Sequence, residues 1–475
     1  MTRRRLGAIG CLVLAAACSR PPTPTYDLVI ANGRVIDPAS GLDAVRHVGV
    51  RDGRIAAISE SPLTGTRVID AARHVVAPGF IDLHEHGQQE ESYRMMVRDG
   101  VTSAFELEVG TADVAGWYAE RAKGQIVNHG VAIGHIKARM QVLGDPSRGL
   151  LPTGIGGSGT ASEAQLAAME ALLRKGLAEG AVAVGFGSAY TPGAPMAEFE
   201  RMFRVAAQGR ASAHIHMRGG LAGLQETIAA AKAAGASLHI VHVNSVAGDD
   251  IDAFLSAIAA AQAAGHDVTT EAYPYGAGMT EITSALFDDW QTWPDDKFGQ
   301  HQLVSTGERL TRATFAAARK AGGTIIIHSR SEAQTRTAIT SPLSIVASDG
   351  FIEHGKGHPR TSGTFAKVLG RYVREEKAID LKEALRRMTI APARRLEGRV
   401  PAMKTKGRLA VGADADITVF DPATVIDRAT YEDASIPSAG IPWVVVNGEV
   451  VVDNGQVTAA RPGRAIRAAV STPGA

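Results

Sequence analysis

Cysteine is nearly absent. The 475 residues hold two, Cys11 and Cys18, both within the first twenty positions. The remainder of the chain therefore has no thiol with which to close a disulfide or hold a metal, and size has to stabilise it instead of covalent staples. An excess of either charge is missing too: 50 Lys and Arg stand against 49 Asp and Glu, mixed along the chain rather than blocked into basic tracts. That pattern lacks the electrostatic footprint of a nucleic-acid partner. What is present is 45% hydrophobic residues, enough for one large domain with a smaller satellite.

The segment "MTRRRLGAIGCLVLAAACSR" pairs Arg3 to Arg5 with an apolar run ending in small residues. It reads as an export signal over residues 1–17 rather than a spanning helix, and predicts a periplasmic or membrane-anchored protein. The "AAAC" ending resembles the bacterial lipoprotein box, in which the cysteine, here Cys18, carries the lipid. That box usually has Leu where Ala15 stands, and simple cleavage after Ala17 is the alternative. Removing residues 1–17 leaves 47 basic against 49 acidic side chains, and "PPTPT" within residues 18–25 reads as a stiff tether.

Residues 26–74 are short apolar runs divided by turn dipeptides, with Asn32-Gly33 and Asp52-Gly53 as hairpin signals. The same grammar returns over residues 401–465, at Asn447-Gly448 and Asn454-Gly455, before a tail over 466–475. The two pieces are expected to form one composite β-sandwich. Between them, over residues 75–400, apolar strands alternate with Ala-rich helices such as "SEAQLAAMEALLRKGLAEG", which opens on a capping box at Ser162 and Gln165 and stops at Gly180. Such alternation predicts a parallel sheet. Candidate strands end near His86, Glu108, His135, Gly185, His216, His242, Tyr273, His328 and Asp349. With "GTIIIHSRS" assigned to an insertion over about 276–342, they fill a (β/α)8 TIM-type barrel. A doubly wound sheet is the alternative; the barrel is preferred because polar residues gather at strand C-terminal ends.

In "IDLHEHG", His84 and His86 stand two apart, so an extended strand aims both imidazoles at one point. One such pair is weak evidence. It is reinforced by His214 and His216 in "SAHIHMRGG", His239 and His242 in "LHIVHVNS", and Asp349 in "IVASDG", all at strand ends. An apolar barrel does not gather imidazoles and a carboxylate without a partner for them, and a hydrolytic metal centre is that partner. The strand "TSAFELEVG" adds Glu106 and Glu108 on one face. Glu108, nearer the strand end, is preferred as the ligand with Glu106 behind it. The reverse assignment, or pairing of both with Arg98 or Arg121, remains open.

These phrases, with "VAPGFIDLHEHG", "EAYPYGAG", "HPRTSGTFAKVLGRYVREE", "MTIAPARRLEG" and "GRLAVGADADITVFDP", resemble the amidohydrolase superfamily, specifically its N-acyl-D-amino-acid deacylase branch. The resemblance runs from Tyr26 to about Gln456. It implies a zinc-bearing (β/α)8 barrel with one or two ions, a small β-sandwich built from both chain ends, His84, His86, His216 and His242 as metal ligands, and Asp349 as the catalytic carboxylate. His214 and His239 become supporting or structural histidines. Two departures stand out. The family's usual cysteine ligand, around "GNCG", is replaced by "ELEVG", whose carboxylates can bridge two ions; and the lysine two places after the sixth-strand histidine is Asn244.

The implied reaction is hydrolysis of a linear amide, with Asp349 taking a proton from the attacking water and returning one to the leaving amine. For a substrate carboxylate, Arg218, Tyr275 and Arg360 are the first candidates, with Arg330 competing from the insertion. Phe287, Trp290 and Trp293 suggest a cap over the barrel mouth, or ordinary packing of the insertion. A metallo-dipeptidase, a cyclic-amide hydrolase using a carboxylated Lys137, and a lipid-anchored binding protein without turnover are the competing readings. Partners are expected to be small molecules, an N-acyl amino acid or a dipeptide, with no nucleic acid and membrane contact only through Cys18.

Overall fold

A computed structural model describes residues 25–470. The signal over 1–17, Cys18, residues 18–24 of the tether and residues 471–475 of the tail lie outside the described residues. Eight short strands form the barrel: Phe80–Asp82 (β1), Val101–Thr111 (β2), Asn128–Gly134 (β3), Val184–Gly187 (β4), Ala213–His216 (β5), Leu238–Ile240 (β6), Val268–Ala272 (β7) and Ser344–Val346 (β8). Each is parallel to the next in chain order. Helices cover the outside, so the strands are apolar runs buried on both faces rather than alternating ones. The ring closes just past β1 and β8, where Asp349 N–H donates to the His84 carbonyl at 2.7 Å and His86 N–H to the Gly350 carbonyl at 3.0 Å. The closing contact thus brings His84, His86 and Asp349 together.

The helix Glu163–Ala178 shows how local sequence sets the ends. Both arms of the Ser162/Gln165 capping box are made, and Gly180 takes φ +97° just beyond the last turn, where a β-carbon would be strained.

Both chain ends share one mixed nine-stranded sheet. Its seam is the antiparallel pairing of Val75–Pro78 with Ile417–Phe420. The strand over 75–78, assigned to the barrel from sequence, therefore belongs to the smaller domain. Three of the four turn dipeptides sit in hairpins, with Asp52, Asn447 and Asn454 at positive φ and glycine following. Asn32-Gly33 does not. It lies inside one long strand, Thr25–Asp37, as a bulge where the register with the neighbouring strand shifts. The left-handed residue that a hairpin needs is equally what a bulge needs, and here a β-carbon on Gly33 would fall 2.4 Å from Val76 Cγ2.

Between β7 and β8 the insertion folds on itself. "GTIIIHSRS" supplies the central strand, Thr324–His328, of a three-stranded antiparallel sheet. Phe287, Trp293, Phe298, Phe315 and Ile325 form its private core, with Trp290 packed against it. Phe287 and Trp293 thus stabilise the insertion and do not line the mouth, to which the insertion presents Met279, Thr280, Leu286, Ile327 and Arg330 among others.

Candidate metal centre

The strand ends of β1, β2, β5, β6 and β8 deliver their polar side chains to one point. His84, His86, Glu108 and Asp349 can each aim one ligand atom at a common centre, and Glu108, His216 and His242 can do so at a second. Glu108 belongs to both. Its Oε2 lies 2.6 Å from His84 Nε2, its Oε1 lies 3.0 Å from His216 Nδ1, and His242 Nε2 is 3.8 Å away. Asp349 Oδ1 is 3.4 Å from both His84 Nε2 and His86 Nε2. Glu106 stands behind: its carboxylate accepts from His86 Nδ1 at 2.5 Å and from the backbone N–H groups of Val109 and Gly110.

The donor set fits a cation. His84 Nδ1 meets Glu271 Oε1 and His86 Nδ1 meets Glu106 Oε2, each at 2.5 Å. Those carboxylates fix the proton of a neutral imidazole on Nδ1 and leave Nε2 as a bare lone pair. The two Nε2 atoms then face each other at 3.2 Å with Glu108 and Asp349 oxygens around them, acceptor against acceptor. Burial disfavours charge on His84, but Asp349, Glu271 and Glu108 outweigh it and carry its pKa well above the ordinary value. For His86, burial is likewise outweighed, chiefly by Glu106. Burial would raise Glu108 and Asp349, yet His84 and His216 hold Glu108 well below the usual range, and Arg360 and His84 do the same for Asp349. The field at this point favours positive charge.

Two of the cluster residues are strained. His242 and Asp349 take φ of +33° and +53°, a region that favours glycine. Such conformations persist where surrounding contacts over-determine them, which is characteristic of functional sites.

The residues proposed for the substrate carboxylate are placed differently from one another. The Arg218 guanidinium donates to the carbonyls of Thr191 at 3.1 Å and Ala194 at 2.7 Å, with longer contacts to Ser188 and Pro192, so its fork is committed to backbone. Tyr275 is buried, and its hydroxyl donates to Asp427 at 3.0 Å, away from the cavity. Arg360 is fully buried and pairs with Asp349 Oδ2 at 2.9 Å, off the hydrogen-bond axis, which makes it a neighbour of the cluster rather than a free anion receptor. Arg330 is the arginine that lines the cavity with charge to offer. Its Nη2 donates to the Tyr273 hydroxyl at 2.8 Å, its Nη1 to Ser245 Oγ at 3.3 Å, and its Nε is buried without a partner among the described residues. Asn244, in place of the family lysine, is locked by Tyr273 backbone at 3.1 and 3.4 Å. Lys137 donates to the Gly149 carbonyl at 2.7 Å, and Glu108 is the residue common to both ligand groups.

Residues 67–452 match the model of the Amidohydrolase family. The chain belongs to that family. This amidohydrolase is 33% identical to an N-acyl-D-glutamate deacylase of Alcaligenes xylosoxydans xylosoxydans, across 94% of its own length and 98% of the relative's. It is 28% identical to a D-aminoacylase of the same organism, over 94% and 99% of the two chains. The crystal structure of N-acyl-D-glutamate deacylase from Bordetella bronchiseptica, complexed with zinc and a phosphonate mimic of the tetrahedral intermediate, superposes with a TM-score of 0.81 at 29% identity, covering 94% of this chain and 100% of that one. The amidohydrolase is a metal-dependent enzyme of the D-aminoacylase/deacylase branch, in which carboxylate replaces the usual cysteine, with one or two divalent ions held at the His/Glu/Asp cluster.

One contributor escaped the sequence reading. Glu271 of β7 accepts from His84 Nδ1 with one oxygen and from His239 Nε2 at 2.9 Å with the other. Burial would raise its pKa, but His84 and His239 hold it far below the usual range. His239 continues to Thr269 Oγ1 at 2.7 Å and packs on His214, whose Nε2 meets Ser212 Oγ at 3.0 Å. The signal was a lone glutamate in the apolar strand "VTTEA"; nothing nearby in sequence names its partner, 187 residues away.

Proposed function

We propose that this amidohydrolase is a zinc-dependent N-acyl-D-amino-acid deacylase that splits a linear amide into a carboxylic acid and a free amino acid. The carrying observation is that Glu108 is common to both ligand groups and that the cluster opens onto two cavities of about 490 and 530 Å³, His216 and His242 lining the first, His86 and Glu108 the second, and Asp349 both. Tyr190, Met279, Thr280 and Asp349 line both. A scissile carbonyl placed at the cluster has room for an arm on either side. One arm meets Arg330, whose remaining N–H groups suit a carboxylate; the other meets Val109, Leu151 and Ile352 among polar neighbours, and takes the acyl group. The similarity to the two deacylases supports the D-amino-acid class.

His84, His86, Glu108, His216, His242 and Asp349 would hold zinc, which supplies Lewis-acid polarisation of a carbonyl and lowers the pKa of water towards about 7. Asp349 is anionic at neutral pH and lies at the meeting of the two cavities, within reach of an attacking water. It takes the water's proton during attack and delivers one to the departing nitrogen. Glu271 and Glu106 orient the imidazoles of His84 and His86 and keep their Nε2 lone pairs forward. Arg330 positions the substrate by its carboxylate. The first segment of the sequence further supports export, with Cys18 as the lipid anchor; radiolabelled lipid incorporation lost in Cys18→Ala tests that anchor.

The test of function is amine release by the zinc-loaded enzyme from matched N-acyl-D-, N-acyl-L-amino acids and dipeptides. The expected result is turnover of the N-acyl-D set, abolished by chelation, restored by zinc, and lost when the substrate carboxylate is methylated. Preferential cleavage of dipeptides would favour the peptidase reading, and metal-loaded protein that binds acyl amino acids yet releases no amine would overturn catalysis.

A further inference from the structure

The opposite mouth of the barrel holds a third cavity, of about 440 Å³, that the reaction does not use. Residues at or just before the starts of β4 to β8 form its floor, including Ser212, Ser237 and Ser344. Its walls come from two successive helices, Leu381–Met388 and Ile390–Glu397, and from the turns beside them. The phrase "MTIAPARRLEG" noted in the sequence lies here. Six arginines line this cavity, Arg210, Arg386, Arg387, Arg394, Arg395 and Arg399, against one lining acid, Asp267.

Some of that charge is answered. Arg399 donates to the carbonyls of Ala181, Gly209 and Leu177, and Arg386 forks onto Glu383 at 2.7 and 2.8 Å. Arg387 and Arg395 are different. Their side chains are 1% and 3% exposed, and in each the Nε and Nη2 atoms are buried with no hydrogen-bond partner among the described residues. Arg387 Nη1 is satisfied by the carbonyls of Ile339 and Ser341, and its Nε is 3.6 Å from Glu383, beyond bonding distance. Arg395 Nη1 meets Asp267 at 2.6 Å. The hydroxyl of Ser344, on the same cavity, is likewise buried and unpartnered. Buried guanidinium donors without acceptors are costly, and a cost of this kind persists where something else supplies the acceptors. Five unpartnered donor atoms belong to residues lining this one cavity, among cationic neighbours whose nearest carboxylates, Glu383 and Asp267, are already engaged by Arg386 and by Arg395 Nη1, and they call for an anion carrying several oxygens.

We propose that this cavity is a binding site for a phosphate-class oxyanion, separate from the metal centre and at the other end of the barrel. Arg387 and Arg395 are its charged donors and Ser344 its neutral one. The ligand is either free phosphate or a phosphate group on a small organic molecule, since the cavity is larger than the ion itself.

The test is calorimetric titration of the zinc-loaded enzyme with inorganic phosphate and, separately, with glycerol phosphate, in chloride buffer. A phosphate on the metal would compete with substrate, so inhibition is measured alongside. The expected result is a saturable site that survives substrate saturation, weakened at least tenfold in Arg395→Gln and measurably in Ser344→Ala, with kcat/KM unchanged in both. Tighter binding of glycerol phosphate than of phosphate would identify the organic form. The serine variant removes one hydroxyl and keeps the test valid should the arginine variant not fold. Binding that is equal in wild type and Ser344→Ala, binding that disappears under substrate saturation, or no saturable binding of either probe would overturn the proposal.

Discussion

The two ends of the barrel handle buried charge in opposite ways. At the C-terminal mouth, Glu106, Glu108, Glu271 and Asp349 are matched by His84, His86, His216, His239 and Arg360, each within 3.4 Å of a partner. At the N-terminal mouth, arginines gather without enough acids, and two of them keep buried nitrogens unanswered. The first end concentrates its charge on one point and answers most of it with opposite charge, leaving Arg330 Nε and Arg360 Nε as buried nitrogens without a partner among the described residues. The second holds its donors open. Chemistry needs the former, because a reacting group must be held in one geometry; capture of an ion needs only the latter.

This contrast can be tested by disarming the C-terminal mouth step by step. The largest effect is expected from Asp349→Asn. Loss of the proton carrier should lower kcat by about 10²–10⁴-fold, measured together with zinc content by mass spectrometry; near-normal turnover with metal retained would remove Asp349 from its role. Next is Glu271→Gln, which keeps the shape but weakens the orientation of His84 and His239. A fall of about 10–100-fold in zinc affinity or kcat/KM is expected, and an unchanged zinc titration would mean that the matching of charge at this mouth is incidental. Arg330→Met should act on binding, raising KM by roughly 10- to 100-fold with little change in kcat, because a lost charged hydrogen bond costs about 1.5–3 kcal/mol. An equal effect on a carboxylate-methylated substrate would show that Arg330 reads something else. The smallest effect is expected from Lys137→Met, with zinc stoichiometry unchanged; bicarbonate-dependent loss of metal would transfer the bridging role from Glu108 to a carboxylated lysine.

Much of the architecture was legible because it depends on short-range rules. Apolar runs followed by capped, Ala-rich helices can only be read as parallel strands with crossovers, and three turn dipeptides landed in hairpins. Asn32-Gly33 was ambiguous because hairpins and bulges demand the same left-handed backbone. At the site, two-residue spacing on a strand brings His84 beside His86, since the backbone alone fixes their direction, but the same spacing in His214 and His216 leaves His214 against Ser212 and His239, outside both ligand groups. Long side chains were another matter. Sequence puts Arg218 near the mouth, but the carbonyls of Thr191 and Ala194, which capture its guanidinium, are known only from the fold. Arg330 reaches the cavity from the insertion through its contact with Tyr273, equally invisible in one dimension.

The pairing of Val75–Pro78 with Ile417–Phe420 has a consequence for how the molecule is made. The two strands are about 340 residues apart in the chain, and at roughly 5–20 residues per second of synthesis the earlier one waits some tens of seconds for its neighbour to exist. During that interval its open edge can recruit other nascent chains. Yield in a recombinant host should therefore respond to holdase chaperones and to growth temperature more than to anything done at the zinc site.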